Sequence, residues 1–426
     1  MMRITVLGLW HLGCVTAACS AKHFAVIGLD LDAANIARLQ SGKAPLFEPG
    51  LEPLLEEGMA AGRLRFTDEI EEACREADVL WVAHDTPVND QDEAEIDKVL
   101  REVRRCVPAL PQGALVLISS QLPVGTCRAL ERDFGGRGYR FACSPENLRL
   151  GKSIEVFTQP ERIIAGISDE KSKAQLAELF APFTQRVVWM SRESAEMTKH
   201  AINSFLALSI TFMNEVARIC EVTGADAKEV EQGLKSESRI GPKAYLSPGA
   251  AFAGGTLARD VVTMTRLGRL HGQPVELISA IKRSNDQHRL WAQQKIQKIL
   301  PAPEEKIVAL LGLTYKPGTD TLRRSSAVEL ARALAAVGFR VRAFDPACKA
   351  LPPELDFIAL SPTAADAVGG ADAVVLCTEW PEFQSADWPQ LIARLRTPIV
   401  VDATRFLERA LAVVRGVRYF TVGSPE

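Results

Sequence analysis

Short apolar runs alternate with amphipathic stretches along the first third of the chain. Four runs are apolar or β-branched at nearly every position and lead into turns with Gly, Asp or Pro: Ile4–Leu7, Phe24–Leu29, Val79–Ala83 and Leu115–Ile118. Near-continuous apolar strands separated by helical patterns are typical of a parallel sheet that helices cover on both faces. The pattern therefore predicts a doubly wound α/β domain over residues 1–191.

Helical periodicity replaces this alternation in the middle of the chain. Apolar residues recur at steps of three and four from about Arg192 to Val222, and a second helical stretch runs from about Asp260 to Leu300. After Pro301, apolar runs return at Ile307–Leu311, Val341–Phe344, Ala373–Cys377 and Ile399–Val401. The predicted fold class is α/β: two Rossmann-like doubly wound domains, 1–191 and 301–426, joined by an all-helical dimerisation segment, 192–300.

The composition limits the classes of function that remain. The 426 residues are 47% hydrophobic and carry a formal net charge of −3, which argues against nucleic acid or a membrane surface as partner. No apolar run reaches the roughly 18 residues of a membrane span. Nine cysteines without a CxxC pair and six scattered histidines predict reduced thiols and no metal site. With an N-terminus unlike a signal peptide, the expected location is the cytoplasm.

A dinucleotide-binding turn is predicted at the end of the first strand. The segment 8–13 reads GLWHLG, and Asp30 ends the next strand, where its carboxylate can bind ribose hydroxyls and repel the 2′-phosphate of NADP. These features predict NAD as the cofactor. Trp10, however, stands where the fingerprint has the glycine that lets the backbone approach the pyrophosphate. A Rossmann sheet that no longer binds a dinucleotide tightly is therefore the alternative.

Seven later segments are informative because of their order along the chain. They are LPVGT at 122–126, SPE at 144–146, EMTKHAIN at 196–203, RIG at 239–241, FAGGTLARD at 252–260, YKPGTD at 315–320 and TEWPEF at 378–383. Together they resemble the UDP-glucose/GDP-mannose dehydrogenase family over essentially the whole chain. The resemblance implies an NAD-dependent oxidoreductase that acts on a nucleotide-activated sugar. Its relatives oxidise the C6 hydroxyl to a carboxylate in two steps, through an intermediate bound to a cysteine.

The same resemblance implies a set of site residues. Lys199 and Asn203, four apart on one helix face, would stabilise negative charge on the reacting oxygen. The implied catalytic residues are Lys199, Asn203, Asp260, Glu146 and Thr256. The predicted cofactor contacts are Gly8, Trp10, His11, Leu12, Gly13, Asp30, Thr86 and Arg323, and the predicted substrate contacts are Arg239, Lys316, Phe252 and Gly254. Because the family arginine at position 239 reaches the sugar of a neighbouring subunit, a homodimer or higher homo-oligomer is expected.

Single positions also allow plainer interpretations. Lys199 alone would suggest an exposed lysine and Asn203 a packing residue, while Lys316 alone would suggest a solvated loop lysine. Glu146 and Asp260 could likewise be a turn acid and a helix N-terminal acid. The motifs around these residues favour the functional interpretation.

Departures from the family pattern cluster in the later steps of the reaction. Thr256 stands at the position of the nucleophilic cysteine, Leu150 at that of the second glutamate and Gln121 at that of a threonine, while Arg259 replaces a lysine. A threonine hydroxyl cannot form a comparable thioester. We therefore predict a single two-electron oxidation. The alternatives are a non-catalytic nucleotide-sugar-binding homologue and, less favoured, a full four-electron UDP-sugar 6-dehydrogenase.

Overall fold

The computed structural model of the chain describes residues 1–86, 95–253 and 255–425. These residues group into two compact units, Met1–Ile202 and Asn203–Glu426. Gly254, a predicted substrate contact, lies outside the described residues. Within these ranges, no helix combines the length and the apolar character needed to cross a membrane.

The first unit is built on an eight-stranded sheet. Its strands are β1 (Arg3–Leu7), β2 (Ala25–Leu29), β3 (Leu64–Thr67), β4 (Val79–Val82), β5 (Leu115–Ile118), β6 (Arg140–Cys143), β7 (Ile163–Ile167) and β8 (Val187–Ser191). They lie in the order β3-β2-β1-β4-β5-β6-β7-β8, and every neighbouring pair is parallel except β6 with β7. The first six strands follow the Rossmann order, whose switch point lies between β1 and β4.

Helices cover both faces of this sheet. They are α1 (His11–Ser20), α2 (Ala33–Gln40), α3 (Leu51–Ala60), α4 (Ile70–Cys74), α5 (Ile96–Cys106), α6 (Thr126–Phe134), α7 (Ser153–Thr158) and α8 (Glu170–Phe180), with 3₁₀ turns at Val107–Ala109 and Gly135–Arg137. Val6 of β1 belongs to the core that contains Val15 of α1, whereas the next residue, Leu7, belongs to the core that contains Val103 of α5. Successive residues of β1 thus enter opposite cores, which explains its unbroken apolar run.

The second unit combines helices with a six-stranded parallel sheet. After α9 (Arg192–Thr223), inside which the two units divide, come α10 (Ala227–Ser236), α11 (Thr256–Leu270), α12 (Glu276–Arg289) and α13 (Trp291–Ile299). The remaining elements are β9 (Ile307–Leu311), α14 (Ser326–Ala336), β10 (Arg340–Phe344), a 3₁₀ turn (Pro353–Leu355), β11 (Ile358–Leu360), α15 (Ala364–Val368), β12 (Ala373–Leu376), α16 (Pro381–Gln384), α17 (Trp388–Ala393), β13 (Ile399–Asp402), α18 (Glu408–Leu411) and β14 (Arg418–Phe420). The sheet order β11-β10-β9-β12-β13-β14 repeats the Rossmann arrangement.

The predicted fold class, with two Rossmann-like sheets and helices between them, is confirmed. The helical stretch predicted from about Asp260 to Leu300 is divided into three helices. The first ends at Leu270, shortly before Gly272, which takes a φ of +64°. The three predicted domains, 1–191, 192–300 and 301–426, stay a prediction, since the division into two units follows contacts between residues and falls inside α9.

Candidate functional site

The turn after β1 has the steric requirements of a dinucleotide turn. Gly8 has a φ of +89°, and a Cβ on it would lie 2.4 Å from Nδ1 of His84. A Cβ on Gly13 would lie 1.7 Å from the carbonyl oxygen of Gly8. Both glycines are therefore required for α1 to start this close to β1 and β4. Burial lowers the pKa of His84 to about 4, so this packing ring is neutral at pH 7.

Trp10 occupies the N-cap position of α1 without strain. Its φ is −92°, which any residue can adopt, and its side chain is 49% exposed. The indole therefore projects at the surface of the turn rather than into the core. An indole also has no acceptor for the first amides of α1, because its nitrogen only donates.

Asp30 lies beside this turn, as predicted. Parallel pairing aligns Leu7 with Leu29 and Val82, so the residues that follow β1, β2 and β4 share one edge of the sheet. One oxygen of Asp30, Oδ2, accepts hydrogen bonds from the backbone N–H of Leu9 at 2.9 Å and from Nδ2 of Asn35 at 3.1 Å. The carboxylate is half-buried and held next to the turn, in position for a ribose.

Asp85 is a site residue that the motif analysis missed. It follows β4, and its Oδ2 accepts a hydrogen bond from the backbone N–H of Leu12 at 2.9 Å. Its neighbour Thr86, a predicted cofactor contact, is buried and donates from Oγ1 to the carbonyl oxygen of Gln121 at 2.9 Å. The sequence did show an acidic residue shortly after β4, the strand next to β1 at the switch point. The dinucleotide-binding fingerprint does not include this position, so the residue was not recognised.

The side chain of His11 turns into the protein. Its Nε2 lies 2.8 Å from Oε2 of Glu48, and because a carboxylate only accepts, Nε2 carries the proton. Glu48 also accepts from the backbone N–H of Gly151 at 2.8 Å and of Ser153 at 3.0 Å. This cluster, which we call the Glu48 network, connects the first residue of α1 to the loop after Glu146. Sequence spacing gave no sign of it.

The Glu48 network is not a nucleophilic triad. Ser153 is fully buried, and its hydroxyl donates to the carbonyl oxygen of Arg149 at 2.9 Å. The same His11 nitrogen that faces Glu48 also faces Ser153, at 3.2 Å. A triad needs the acid on one ring nitrogen and the nucleophile on the other. The network is therefore structural.

Lys199 and Glu146 form an ion pair in the first unit. Nζ of Lys199, on α9, lies 3.5 Å from Oε1 of Glu146, and the two side chains are 11% and 22% exposed. Both line a cavity of about 300 Å³ together with Trp81, Phe157, Arg149 and Lys152. The backbone N–H of Leu148 donates to Oε2 of Glu146 at 2.7 Å and so orients the carboxylate. This places a partly desolvated cation where a sugar-sized molecule can enter.

Asn203 and Asp260 form a second pair, within the second unit. Nδ2 of Asn203 donates to Oδ2 of Asp260, whose side chain is fully buried. Thr256 is the exposed first residue of α11, one turn before Asp260. The preceding loop is held by Phe252, whose backbone N–H and carbonyl pair with the amide of Asn285, both at 3.0 Å.

The remaining predicted residues lie at half-buried or exposed positions. Lys316 lies half-buried in the turn between β9 and α14, and its carbonyl accepts from Oγ1 of Thr319 at 3.1 Å. Arg323 is exposed in the same turn. Arg239, on the loop after α10, is exposed and pairs with Glu237 at 2.9 Å. All three residues belong to the second unit.

Cysteines do not provide an evident metal site. All nine are free, and among the described residues Cys127, Cys143 and Glu196 bring ligand atoms within 4.8 Å of one another. The carboxylate of Glu196 already accepts from the backbone N–H groups of Gly125 at 2.6 Å and Cys127 at 2.9 Å. Hydrogen bonding to Cys143 and burial raise the pKa of the Cys127 thiol, which disfavours the thiolate that a metal requires.

The comparisons with known proteins agree with this geometry. Models of the UDP-glucose/GDP-mannose dehydrogenase family match in three places: its NAD binding domain at residues 2–184, its central domain at 193–287 and its UDP binding domain at 309–409. The UDP-glucose 6-dehydrogenase of Pseudomonas aeruginosa is 34% identical, with 100% of this chain and 98% of that protein covered. The UDP-glucose 6-dehydrogenase of Rhizobium meliloti is 33% identical, with 100% of both covered.

Solved structures give the same result. A UDP-glucose dehydrogenase from Pyrobaculum islandicum superposes with a TM-score of 0.87 at 29% identity and covers 100% of this chain and 98% of its own. A UDP-D-ManNAc dehydrogenase from Pyrococcus horikoshii superposes with a TM-score of 0.85 at 27% identity, covering 99% of both chains. The resemblance inferred from the seven segments is thereby confirmed, as are the predictions of an oxidoreductase family and of an NAD-binding domain. The roles of the individual site residues stay predictions.

Proposed function

Because the chain belongs to the UDP-glucose/GDP-mannose dehydrogenase family, we propose that it oxidises a CH–OH group of a nucleotide-activated sugar with NAD and stops after two electrons. The ion pair between the buried Lys199 and the half-buried Glu146 in the cavity of the first unit is the observation that carries this proposal. The reaction removes a hydride from carbon and a proton from oxygen, so it needs a fixed positive charge beside that oxygen. Lys199 supplies the charge, and Glu146, 3.5 Å away, is the carboxylate positioned to accept the proton.

Asn203 and Asp260 would support the same step from α9 and α11. Asn203 follows Lys199 by one helical turn. Asp260 receives a hydrogen bond from Asn203 and fixes the orientation of that amide. An amide held in this way is a preorganised donor for developing negative charge, which costs little reorganisation during the reaction.

The turn after β1 fits NAD at its adenosine end. Gly8 and Gly13 allow the close approach of α1 to the sheet, and Asp30 stands at the end of β2, where a ribose diol binds. When bound, NAD would accept the hydride. The diphosphate end fits less well, because Asp85 already occupies the amide of Leu12.

The absence of a thiol in the reactive loop supports a single oxidation. Thr256 stands where the family resemblance places the nucleophile, and the sequence contains no cysteine between Cys220 and Cys348. A threonine hydroxyl has too high a pKa to capture an aldehyde and release it as an activated ester without a strong base. The aldehyde or ketone formed first is then the product.

The nucleotide would bind at the second sheet. The family's UDP binding domain covers the turn after β9, where Lys316 can meet a diphosphate. We take UDP as the first nucleotide to test, since this domain carries that description and the similar proteins described above are UDP-sugar dehydrogenases.

A homodimer through α9 is part of the proposal. Phe205, Phe212 and Ile219 are 66%, 47% and 60% exposed and follow one another at seven-residue spacing on this helix. Large apolar side chains repeated on one helix face mark a contact surface. Arg239 is exposed, as a residue that reaches into a partner's site would be in an isolated subunit. The nine free cysteines support a reducing compartment such as the cytoplasm.

Counting the NADH formed per sugar consumed tests the proposed function. The purified protein is incubated with NAD and UDP-glucose, UDP-N-acetylmannosamine or GDP-mannose, with hydroxylamine present in a parallel sample to trap carbonyl products. We expect one NADH per sugar and a trapped oxime for the accepted substrate. Two NADH and a carboxylate product would contradict the proposal.

A non-catalytic nucleotide-sugar-binding protein is the second candidate. The hydrogen bond of Asp85 to the amide of Leu12 favours it, because that amide belongs to the diphosphate site of the cofactor. In this case UDP-sugars would bind by calorimetry, and none of the sugars would yield NADH.

A further inference from the structure

The N-terminal turn of α1 is capped by the carboxylate of Asp85, a residue that follows strand β4. Leu12 is the second residue of α1, so its backbone N–H has no acceptor within the helix. Oδ2 of Asp85, 73 residues further along the chain, accepts from this N–H at 2.9 Å. Asp85 reaches α1 because β1 and β4 are neighbours in register, with Leu7 opposite Val82.

This position is the one at which a dinucleotide's diphosphate binds. In Rossmann domains the free amides at the start of the first helix, and the positive end of its dipole, hold the pyrophosphate. Residues 2–184 match the family's NAD binding domain, and Gly8 and Gly13 provide the turn. The carboxylate of Asp85 places at the start of α1 a negative charge and a hydrogen-bond acceptor for the N–H of Leu12. A bound diphosphate would supply the same two features.

Two carboxylates place negative charge at the first turn of α1. Burial, and after it the charges of Asp85 and then Asp30, raise the pKa of the Cys14 thiol, three residues into this helix. An incoming diphosphate carries two further negative charges into the same place. Since Asp85 is exposed, its side chain can rotate into solvent, and the cost of binding then includes the loss of its bond to Leu12.

We infer that Asp85 is a built-in competitor for the diphosphate of NAD, so that its removal strengthens cofactor binding. The family match supplies the identity of the cofactor, but the inference does not require turnover. A carboxylate at a helix N-terminus contributes roughly 0.3–2 kcal/mol. At 1.4 kcal/mol per factor of ten, this range predicts a gain in affinity between roughly twofold and thirtyfold.

Calorimetric titration of the full chain with NAD, ADP and adenosine tests this inference. The variants are Asp85→Asn, which keeps an acceptor for α1, and Asp85→Ala, which does not. Asp32→Asn is the matched control, because Asp32 is also exposed and caps the neighbouring helix α2 through the N–H of Ala34 at 3.0 Å. Thermal denaturation of each variant verifies that it is folded.

We expect Asp85→Asn and Asp85→Ala to bind NAD and ADP roughly two- to thirtyfold more tightly and to bind adenosine unchanged. Asp32→Asn should bind all three ligands as the original protein does. The gain should shrink at high salt, because exposed charges are screened. If Asp85 only stabilised the start of α1, its replacement would weaken NAD binding. The direction of the change in NAD affinity therefore distinguishes a structural role from competition with the diphosphate.

Unchanged or weaker NAD binding in a folded Asp85→Asn protein would overturn the inference, as would an equal gain for adenosine. If no variant binds NAD, both the inference and the cofactor assignment fail. If the gain is observed but no nucleotide sugar is oxidised, only the proposed catalytic function fails.

Trp10 offers an independent comparison at the same turn. Any effect of the Trp10 side chain on NAD binding through its size does not depend on the salt concentration, whereas the effect of the Asp85 charge does. If Asp85 opposes NAD through its charge, the gain in NAD affinity for Asp85→Asn should fall at high salt. The gain for Trp10→Gly should persist at high salt. A salt-insensitive gain for Asp85→Asn would contradict the electrostatic explanation.

Discussion

Replacing Glu48 by Gln removes one charge from the Glu48 network without changing its volume. The Glu48 side chain is 1% exposed, and its oxygens accept from His11, Gly151 and Ser153. Burial by itself would raise the pKa of Glu48, but the hydrogen bonds from Gly151, His11 and Ser153 outweigh it and hold this pKa below its usual value. The ionised form is therefore the one that the fold stabilises.

The expected cost follows from the three donors. If the Gln oxygen stays on the side of Oε2, it retains His11 and Gly151 as partners, while its NH₂ group faces the N–H of Ser153. One buried donor without an acceptor costs about 1–3 kcal/mol, and two bonds lose their charge-assisted strength. We expect Glu48→Gln to lower the free energy of unfolding by about 2–4 kcal/mol at pH 7.

The pH dependence gives the prediction a second test. Because the folded-state pKa of Glu48 is depressed, its contribution is fully present above the unfolded pKa of about 4.3 and is lost as the pH falls through the folded pKa. The difference in stability between the original protein and Glu48→Gln should therefore narrow on acidification below about pH 4.3. Because the other carboxylates are the same in both proteins, their contributions to the pH dependence cancel in this difference in stability.

Urea unfolding followed by tryptophan fluorescence, at pH 7 and in a series down to acidic pH, measures both effects. Glu52→Gln is the control, because Glu52 forms an exposed ion pair with Lys43 at 3.2 Å and should contribute less than about 1 kcal/mol. A Glu48→Gln protein as stable as the control at pH 7, or a stability difference that grows on acidification, would refute the reasoning.

Four further predictions concern the proposed reaction and assembly. Lys199→Ala should lower turnover about a hundredfold or more with a modest change in KM, whereas Lys173→Ala, at a half-buried lysine of α8, should not; equal rates for the two variants would return Lys199 to a structural role. NAD should bind more tightly than NADP, and Asp30→Asn should reduce this preference, since like charge repels the 2′-phosphate; a titration showing equal affinities would count against it. Phe212→Glu should yield a monomer by light scattering while the original protein is at least a dimer; a monomeric original protein would exclude the α9 contact. Thr256→Cys alone should not raise the NADH yield above one per sugar, because one thiol does not supply the later water chemistry; a yield of two would show that this position alone limits the reaction.

Local patterns were sufficient for the fold and for the family. The apolar runs of β1, β4, β5 and β9 are recognisable because strands buried on both faces have no polar side to interrupt them. Strand β3, which reads Leu64-Arg65-Phe66-Thr67, was not predicted, since its exposed arginine interrupts the apolar run. Gly8 was interpretable because a turn between a strand and a helix requires positive φ within a few residues.

Contacts between distant segments could not be predicted from spacing. Lys199 and Glu146 are 53 positions apart, and only the sheet edge and α9 bring them to one cavity. The resemblance named both residues, but it could not indicate their distance or burial. The contact of His11 with the cofactor stays a prediction, and only the structure could show that its side chain binds Glu48, 37 residues away.

The turn after β1 shows most clearly which features the sequence determined and which ones only the tertiary structure decided. The amino-acid sequence alone determined the strand, the turn, the helix and the carboxylate of Asp30, because each follows from residues within one βαβ unit. What meets the amide of Leu12 depended on β4, which lies some 70 residues further along the chain and pairs with β1. Helix N-terminal amides bind the nearest acceptor in space, and the strand order of the folded sheet, rather than proximity along the chain, made that acceptor Asp85.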